Sequence, residues 1–268
     1  DDSLKLIAYS NLVRGYLYKP FSEDSGLVYI PLIDRINQDH DFHEWAHISN
    51  SVISSLYLQL HQYDFAIKYS QKSYEASRLL GDETRICKAK NALGECYRKA
   101  SLFNDARDVF QEAVDLALMN EDLLNIVKGY RGIAICYDMT KDFLQAEKYF
   151  QLSLDYALKA NNEKSVYAQY GNLAVAQWHS LKYDAAIVNL HKAVVIAKKY
   201  NLAGIQTDYK NLADVYKDKG DPDSAIYYGN LSLSLAEKNN EKLLQSIVHR
   251  ILTDSYKLAG DHKMALVH

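Results

Sequence analysis

The chain has 268 residues, 48% of them apolar and 24% charged, with a formal net charge of −3. That apolar share is enough for a large buried core in one or two domains. No run of five like charges occurs, which excludes a broad electrostatic attraction to nucleic acid or to an anionic membrane.

From the N-terminus, SLKLIAYSNLVRGYLY reads as a helix, KPFSEDSG as a loop, and Pro31 interrupts the apolar run LVYIPLI at 27–33. That run is the most hydrophobic window and falls well short of the roughly 20 apolar residues a bilayer requires, so no membrane insertion by this chain is expected. The first residue is Asp1, and the stretch after it has neither a basic nor an apolar leader segment. The sequence therefore reads as an excised or processed region and selects neither cytoplasm nor periplasm. Residues 1–42 are expected to form a degenerate helical cap.

From residue 43 the apolar residues recur at three- and four-residue spacing, the mark of amphipathic helices, and the whole pattern repeats every forty residues. One apolar column reads Ile53, Leu93, Ile133, Leu173, Leu212, Leu252. Its successor is small: Ser54, Gly94, Ala134, Ala174, Ala213, Thr253. Then come Tyr57, Tyr97, Tyr137, Gln177, Tyr216, Tyr256, and after them an alanine in every repeat: Ala66, Ala106, Ala146, Ala186, Ala225, Ala265. Small residues let two antiparallel helices approach, and an aromatic fills the wedge beside them. Short turns such as KGDPDSA, with Asp221 as N-cap and Pro222 as first helical residue, and KLAGDHKMA, with Gly260 at a helix C-terminus, join the helices. Six helical hairpins are predicted, at about 43–82, 83–122, 123–162, 163–201, 202–241 and 242–268, the last incomplete. Cys87, Cys96 and Cys136 are an odd number without C-x-x-C spacing and read as small core residues.

These columns resemble the tetratricopeptide repeat (TPR) family. Tyr130, Tyr170 and Tyr209 match its first aromatic position, and Phe110 and Phe150 the later one, followed by Ala113, Ser153 and Ala193. The resemblance covers 43–268. It departs from the common 34-residue form in its 40-residue length and in lacking a proline at the end of the second helix. Small residues at Ser77, Ala117, Ala157, Ala197 and Ala236 point to a longer second helix. HEAT and armadillo arrays share the length but are not expected to repeat this register. The resemblance implies an all-α fold, a right-handed α-solenoid of antiparallel helix pairs (the TPR superhelix), with a concave surface lined by the first helix of each pair.

One motif points elsewhere: HEWAH at 43–47 matches the H-E-x-x-H signature of zinc metalloproteases. Such a site needs a third ligand, and the extended form would want Gly at 50 and His at 53, where the chain has Asn50 and Ile53. The stretch also aligns with ETRIC at 83–87, the opening turn of a first helix, where polar residues are expected. No phosphate-binding or nucleophile motif occurs. No catalysis, no metal and no cofactor are expected.

Function is therefore sought on the inner face. The positions two before the Leu/Ile column and two and five after it give Asn91, Glu95 and Arg98 in repeat two, with Lys88 nearby. In repeat three they give Arg131, Ile135 and Asp138, flanked by Lys128 and Met139, and in repeat four Gly171, Val175 and Trp178. Repeats five and six add Lys210, Asp214, Lys217 and Arg250, Asp254, Lys257. The wall is expected to run from a basic patch through an apolar stretch (Ile135, Met139, Val175, Trp178) to alternating charge. Trp178 reads either as an interface anchor or as a core residue compensating for Gln177. Some TPR domains clamp a partner's C-terminal carboxylate with Lys and Asn; Glu95 and Asp214 stand where that pattern wants amides, so such a clamp is not expected. The expected partner is a protein or peptide. The Tyr-rich forty-residue repeats are similar to those of bacterial regulators and sensor histidine kinases. A resemblance to the Rap-type peptide-regulated proteins is weaker, since residues 1–42 are short for the helical effector domain such proteins carry. A third possibility is a scaffold that self-associates through its terminal helix pair.

Overall fold

The computed structural model describes residues 2–17, 26–39 and 43–268, and among them there are helices and no strand. Two compact units are present, Asp1–Thr140 and Lys141–His268. Unit 1 holds α1 (Asp2–Tyr16), α2 (Ile30–Asp39), α3 (His43–Gln59), α4 (Tyr63–Leu80), α5 (Glu83–Lys99), α6 (Phe103–Met119) and α7 (Leu123–Met139). Unit 2 holds α8 (Phe143–Lys159), α9 (Glu163–His179), α10 (Tyr183–Tyr200), α11 (Ile205–Lys219), α12 (Pro222–Lys238), α13 (Lys242–Leu258) and α14 (His262–Ala265). The division falls in the turn of the third repeat, between its two helices.

The helices begin and end where local chemistry says they should. Asp82, Asp122, Asn162 and Asp221 each accept a backbone N–H three residues on, at 3.0, 3.1, 2.9 and 3.1 Å, satisfying one of the unpaired donors of a first turn. The backbone repeats as regularly as the side chains. His61, Ser101, Lys141, Leu181, Gly220 and Gly260, each eight residues after the Leu/Ile column, all have left-handed φ between 57° and 88°. That conformation turns the chain back after each first helix, and glycine supplies it without steric cost in the last two repeats only.

Pro31 does not interrupt a helix. It is the second residue of α2, and a first-turn proline loses no hydrogen bond because the first N–H groups have no intrahelical acceptor. Of KPFSEDSG only Gly26 lies within the described residues.

Packing follows the columns. Ile53, Leu93, Ile133, Leu173, Leu212 and Leu252 are all buried, as are the six alanines from Ala66 to Ala265. Each such Leu or Ile contributes about 1.5–3 kcal/mol of transfer free energy. Ser77, Ala117, Ala157, Ala197 and Ala236 are buried on second helices of 17 or 18 residues, so the extra length of the repeat is indeed helical. The cysteines are buried and free; desolvation pushes the Cys87 and Cys136 thiols up to about 11, which leaves them unreactive.

Candidate peptide-binding face

In unit 1 the first-helix faces of α5 and α7 are brought together by one aromatic ring. Phe110 of α6 is buried between Gly94 of α5 and Gly132 of α7: a Cβ added at Gly94 would lie 2.8 Å from the ring, and one at Gly132 would lie 2.5 Å from it. Gly129 makes the same allowance for Val114, where an added Cβ would meet Cγ2 at 2.4 Å. Gly94, of the small column, and Gly132, one residue before Ile133, thus do more than permit packing. They draw two neighbouring first helices over one wedge.

Above that wedge lies a cleft of about 230 Å³ lined by Lys88, Asn91, Glu95, Lys128, Arg131 and Ile135, all singled out by the sequence register. Glu95 is occupied: it accepts from Arg98 Nε at 2.8 Å. Lys88, Lys128 and Arg131 have no ion-pair partner among the described residues. Burial, and then the like charges of Lys88 and Arg131, hold the Lys128 ammonium below its ordinary value. Asn91 is buried rather than solvated as the register suggested. Its amide donates to the Asn125 backbone carbonyl at 3.2 Å, while its Oδ1, like that of Asn125, has no partner among the described residues. Three exposed cations without counter-ions thus stand beside a buried amide carbonyl. Met139 is exposed at the end of α7, and Ile135 is half-buried.

In unit 2 most of the predicted residues are engaged with one another. Lys210 and Lys217 bracket the buried Asp214 at 3.3 and 3.2 Å, and Arg250 is exposed beside a shallow cleft with Asp254 and Lys257. Trp178 is half-buried against the Leu190–Leu212 cluster and donates from Nε1 to Asp218 at 2.9 Å, so it joins α9 to α11. It does not stand in for Gln177. That side chain is buried and satisfied on its own account, donating to Glu147 at 3.2 Å and accepting from Asn189 at 2.8 Å. Val175 is half-buried. Ile135 and Met139 belong to unit 1 and Val175 and Trp178 to unit 2, so the expected apolar stretch is shared out between the units.

One group escaped the sequence reading. Asp208 of α11 is buried beside Gly171, accepts from the Tyr167 hydroxyl at 2.8 Å, and has its carboxyl pushed up to about 6 by desolvation. The available signal was an acid in a column otherwise held by Ser49, Ala89, Gly129, Gln169 and Val248.

The second histidine of HEWAH is used structurally, while His43 lines the cleft among α2, α3 and α4. His47 Nδ1 lies 2.8 Å from Ser77 Oγ and its backbone carbonyl accepts from Ser73; desolvation lowers the pKa of the ring, favouring the neutral form. Glu44 pairs with Arg85 of α5 at 3.3 Å. Among the described residues no group of three His, Cys, Asp or Glu is placed to hold a metal ion. No described helix is long and apolar enough to cross a membrane.

Antiparallel helix pairs stacked through a small-residue register define the TPR class of α-solenoid. The family profile described as Tetratricopeptide repeat matches residues 46–119 and 85–159, and the fold is that of a TPR solenoid. Among solved structures it is similar to BtubC (BKLC) from P. vanneervenii, at 22% identity over 76% of this chain and 87% of that one, with a TM-score of 0.70. It is similar to the apo form of RapI at 15% identity, over 97% and 99% of the two chains, with a TM-score of 0.66. A Rap protein complexed with Competence and Sporulation Factor aligns at 14% identity over 97% of this chain and 77% of that one, with a TM-score of 0.71. At these identities the likeness shows the fold. No curated protein matches the chain.

Proposed function

We propose that this chain is a non-catalytic module that binds a peptide or protein segment on its first-helix faces, as the interaction or sensor region of a bacterial regulatory protein. The observation that supports this most is the α5/α7 cleft. Lys88, Lys128 and Arg131 stand there exposed and without counter-ions beside the buried, unpartnered Asn91 carbonyl, a concentration of positive charge open to an anionic ligand. An extended acidic segment supplies both missing elements, carboxylates for the cations and a backbone N–H for the carbonyl.

The test is fluorescence anisotropy with capped hexapeptides of acidic, neutral and basic sequence, on wild type and on a Lys128→Glu/Arg131→Glu variant of unchanged helix content. Charge-assisted hydrogen bonds contribute about 1.5–3 kcal/mol each, so the acidic peptides are expected to bind at least tenfold more weakly to the variant, and wild-type affinity to fall with salt. Equal affinity for acidic and basic peptides, or a folded variant that binds like wild type, would sink this reading.

A second reading, a peptide-regulated signalling protein similar to the Rap proteins, draws support from the likeness in fold to a Rap protein complexed with Competence and Sporulation Factor. Under it, a bound peptide would change the chain's affinity for a second protein. Self-association of a scaffold through its terminal helix pair would instead show as concentration-dependent mass in sedimentation equilibrium.

A further inference from the structure

We infer that the cleft among α2, α3 and α4 is a binding site for a planar aromatic ring that carries its own hydrogen-bond donor, a phenol or an indole. The inference is independent of the α5/α7 face. It starts from a column of the repeat, three residues before the Leu/Ile column, which reads Asn50, Lys90, Tyr130, Tyr170, Tyr209, His249.

Where a tyrosine stands in this column, its ring fills the space between a first helix and its neighbours. Tyr209 is buried with Leu190 and Val194 of α10 and lies against Tyr228 of α12, 6.1 Å between ring centres. Tyr170 is covered by Lys192, whose Nζ is 5.2 Å from the ring centre. In the second repeat Lys90 occupies the position itself, reaching the Tyr74 ring at 4.7 Å and pairing with Glu112; in the sixth, His249 is met by His268 at 3.1 Å. In the first repeat the residue is Asn50, too short to fill the place. What remains is a cleft of about 470 Å³, within the range of roughly 300–1,000 Å³ that suits a small organic ligand.

Two amide oxygens there are unsatisfied, although Asn37 Nδ2 donates to Ser49 Oγ at 3.3 Å. Asn50 is only 4% exposed, lines the cleft, and makes no hydrogen bond to a described residue; its Oδ1 and that of Asn37 are buried without partners. Two open carbonyls in a desolvated setting call for donors, which a hydrocarbon ring lacks and a phenol O–H or indole N–H provides. The other walls suit a ring. Ala46, Ala76 and Leu79 offer apolar surface. Lys72, six residues after its alanine column as Lys192 is in the fourth repeat, stands at the rim, fixed by Asp34 at 2.9 Å and with its Nζ 4.6 Å from the centre of the Tyr69 ring. Asp34 is itself paired with Lys72 and accepts from the Tyr69 hydroxyl at 2.5 Å, and the other lining carboxylate, Glu75, pairs with Arg78 at 2.9 Å, so the cleft does not present a bare carboxylate to the ring face.

The experiment is ¹H–¹⁵N NMR of the full chain titrated separately with p-cresol, 3-methylindole and toluene, and with a capped Gly-Tyr-Gly peptide. The side-chain amides of Asn50 and Asn37 are expected to shift with p-cresol and 3-methylindole, with toluene at least tenfold weaker. Asn50→Tyr restores the ring found in three other repeats; it is expected to raise the melting temperature and to abolish binding. Asn50→Ala keeps the space but removes the acceptor, and is expected to bring p-cresol down to the affinity of toluene, a comparison that stands even if the tyrosine variant fails to fold. If the peptide binds more tightly than p-cresol, the ring comes from a partner's side chain; if more weakly, it belongs to a free aromatic compound. Amides unmoved by either donor-bearing ring, or binding that survives in folded Asn50→Tyr, would overturn the assignment.

Discussion

Gly132→Ala is the sharpest probe of how the α5/α7 face is built. In an open helix this exchange gains about 1 kcal/mol, because alanine loses less backbone entropy on folding. At Gly132 the new methyl would sit 2.5 to 2.6 Å from three atoms of the Phe110 ring, more than 1 Å inside ordinary contact of ~3.5–4.0 Å. The ring cannot retreat freely, since its opposite side is already against Gly94, where an added Cβ would lie at 2.8 Å. Overpacking of this kind costs about 1–3 kcal/mol in general, and a ring blocked on both sides belongs at or above the upper end. Net destabilisation of about 2 kcal/mol or more is therefore expected once the propensity gain is deducted. Gly15→Ala, in α1 with nothing within 4 Å of the added atom, serves as the control and is expected to be neutral or stabilising. The assay is urea unfolding followed by far-UV circular dichroism, comparing midpoints because repeat arrays do not always unfold in two states. Adding Phe110→Leu to Gly132→Ala should recover part of the loss by freeing the slot. If Gly132→Ala stabilises as Gly15→Ala does, the wedge account of the α5/α7 face is wrong.

Two further outcomes are expected. Burial raises the Asp208 carboxyl from its ordinary value to about 6, so the folded state holds a proton that the unfolded chain releases near pH 4; stability is full below that point and falls as pH rises through 6. Asp208→Asn keeps an acceptor for the Tyr167 hydroxyl and should flatten the melting temperature between pH 4 and 7, and an unchanged slope would refute the assignment. Trp178→Ala removes both the packing on the Leu190–Leu212 cluster and the hydrogen bond to Asp218, so the melting temperature should drop. A variant with wild-type stability and lost partner binding would return Trp178 to the role of an exposed anchor.

The register of large, small and aromatic residues was legible in the sequence because a solenoid imposes the same packing problem every forty residues, and the same answer recurs in the chain. The buried Leu/Ile and alanine columns, the Asp221 cap before Pro222 and the left-handed turn at Gly260 could all be read from local chemistry. The face that carries Lys88, Asn91, Lys128, Arg131 and Ile135 could be read too, since position in the repeat fixes the side of the helix. Position alone does not say which charges are already paired. Arg98, Lys210 and Lys217 look like Lys88 and Lys128 in sequence, yet each is held by a carboxylate three or four residues away, a matter of side-chain rotamer and local burial.

The departures from the repeat are where sequence fell silent. Asn50 and Asp208 are unremarkable residues until their surroundings are known: one leaves a tyrosine's place vacant and its own amide unpaired, the other stands desolvated beside a glycine. Periodicity thus determined the architecture of this protein, because backbone hydrogen bonding and close packing depend on local pattern. Tertiary structure decided which polar groups remain unsatisfied, because that depends on neighbours contributed by helices far apart in the chain.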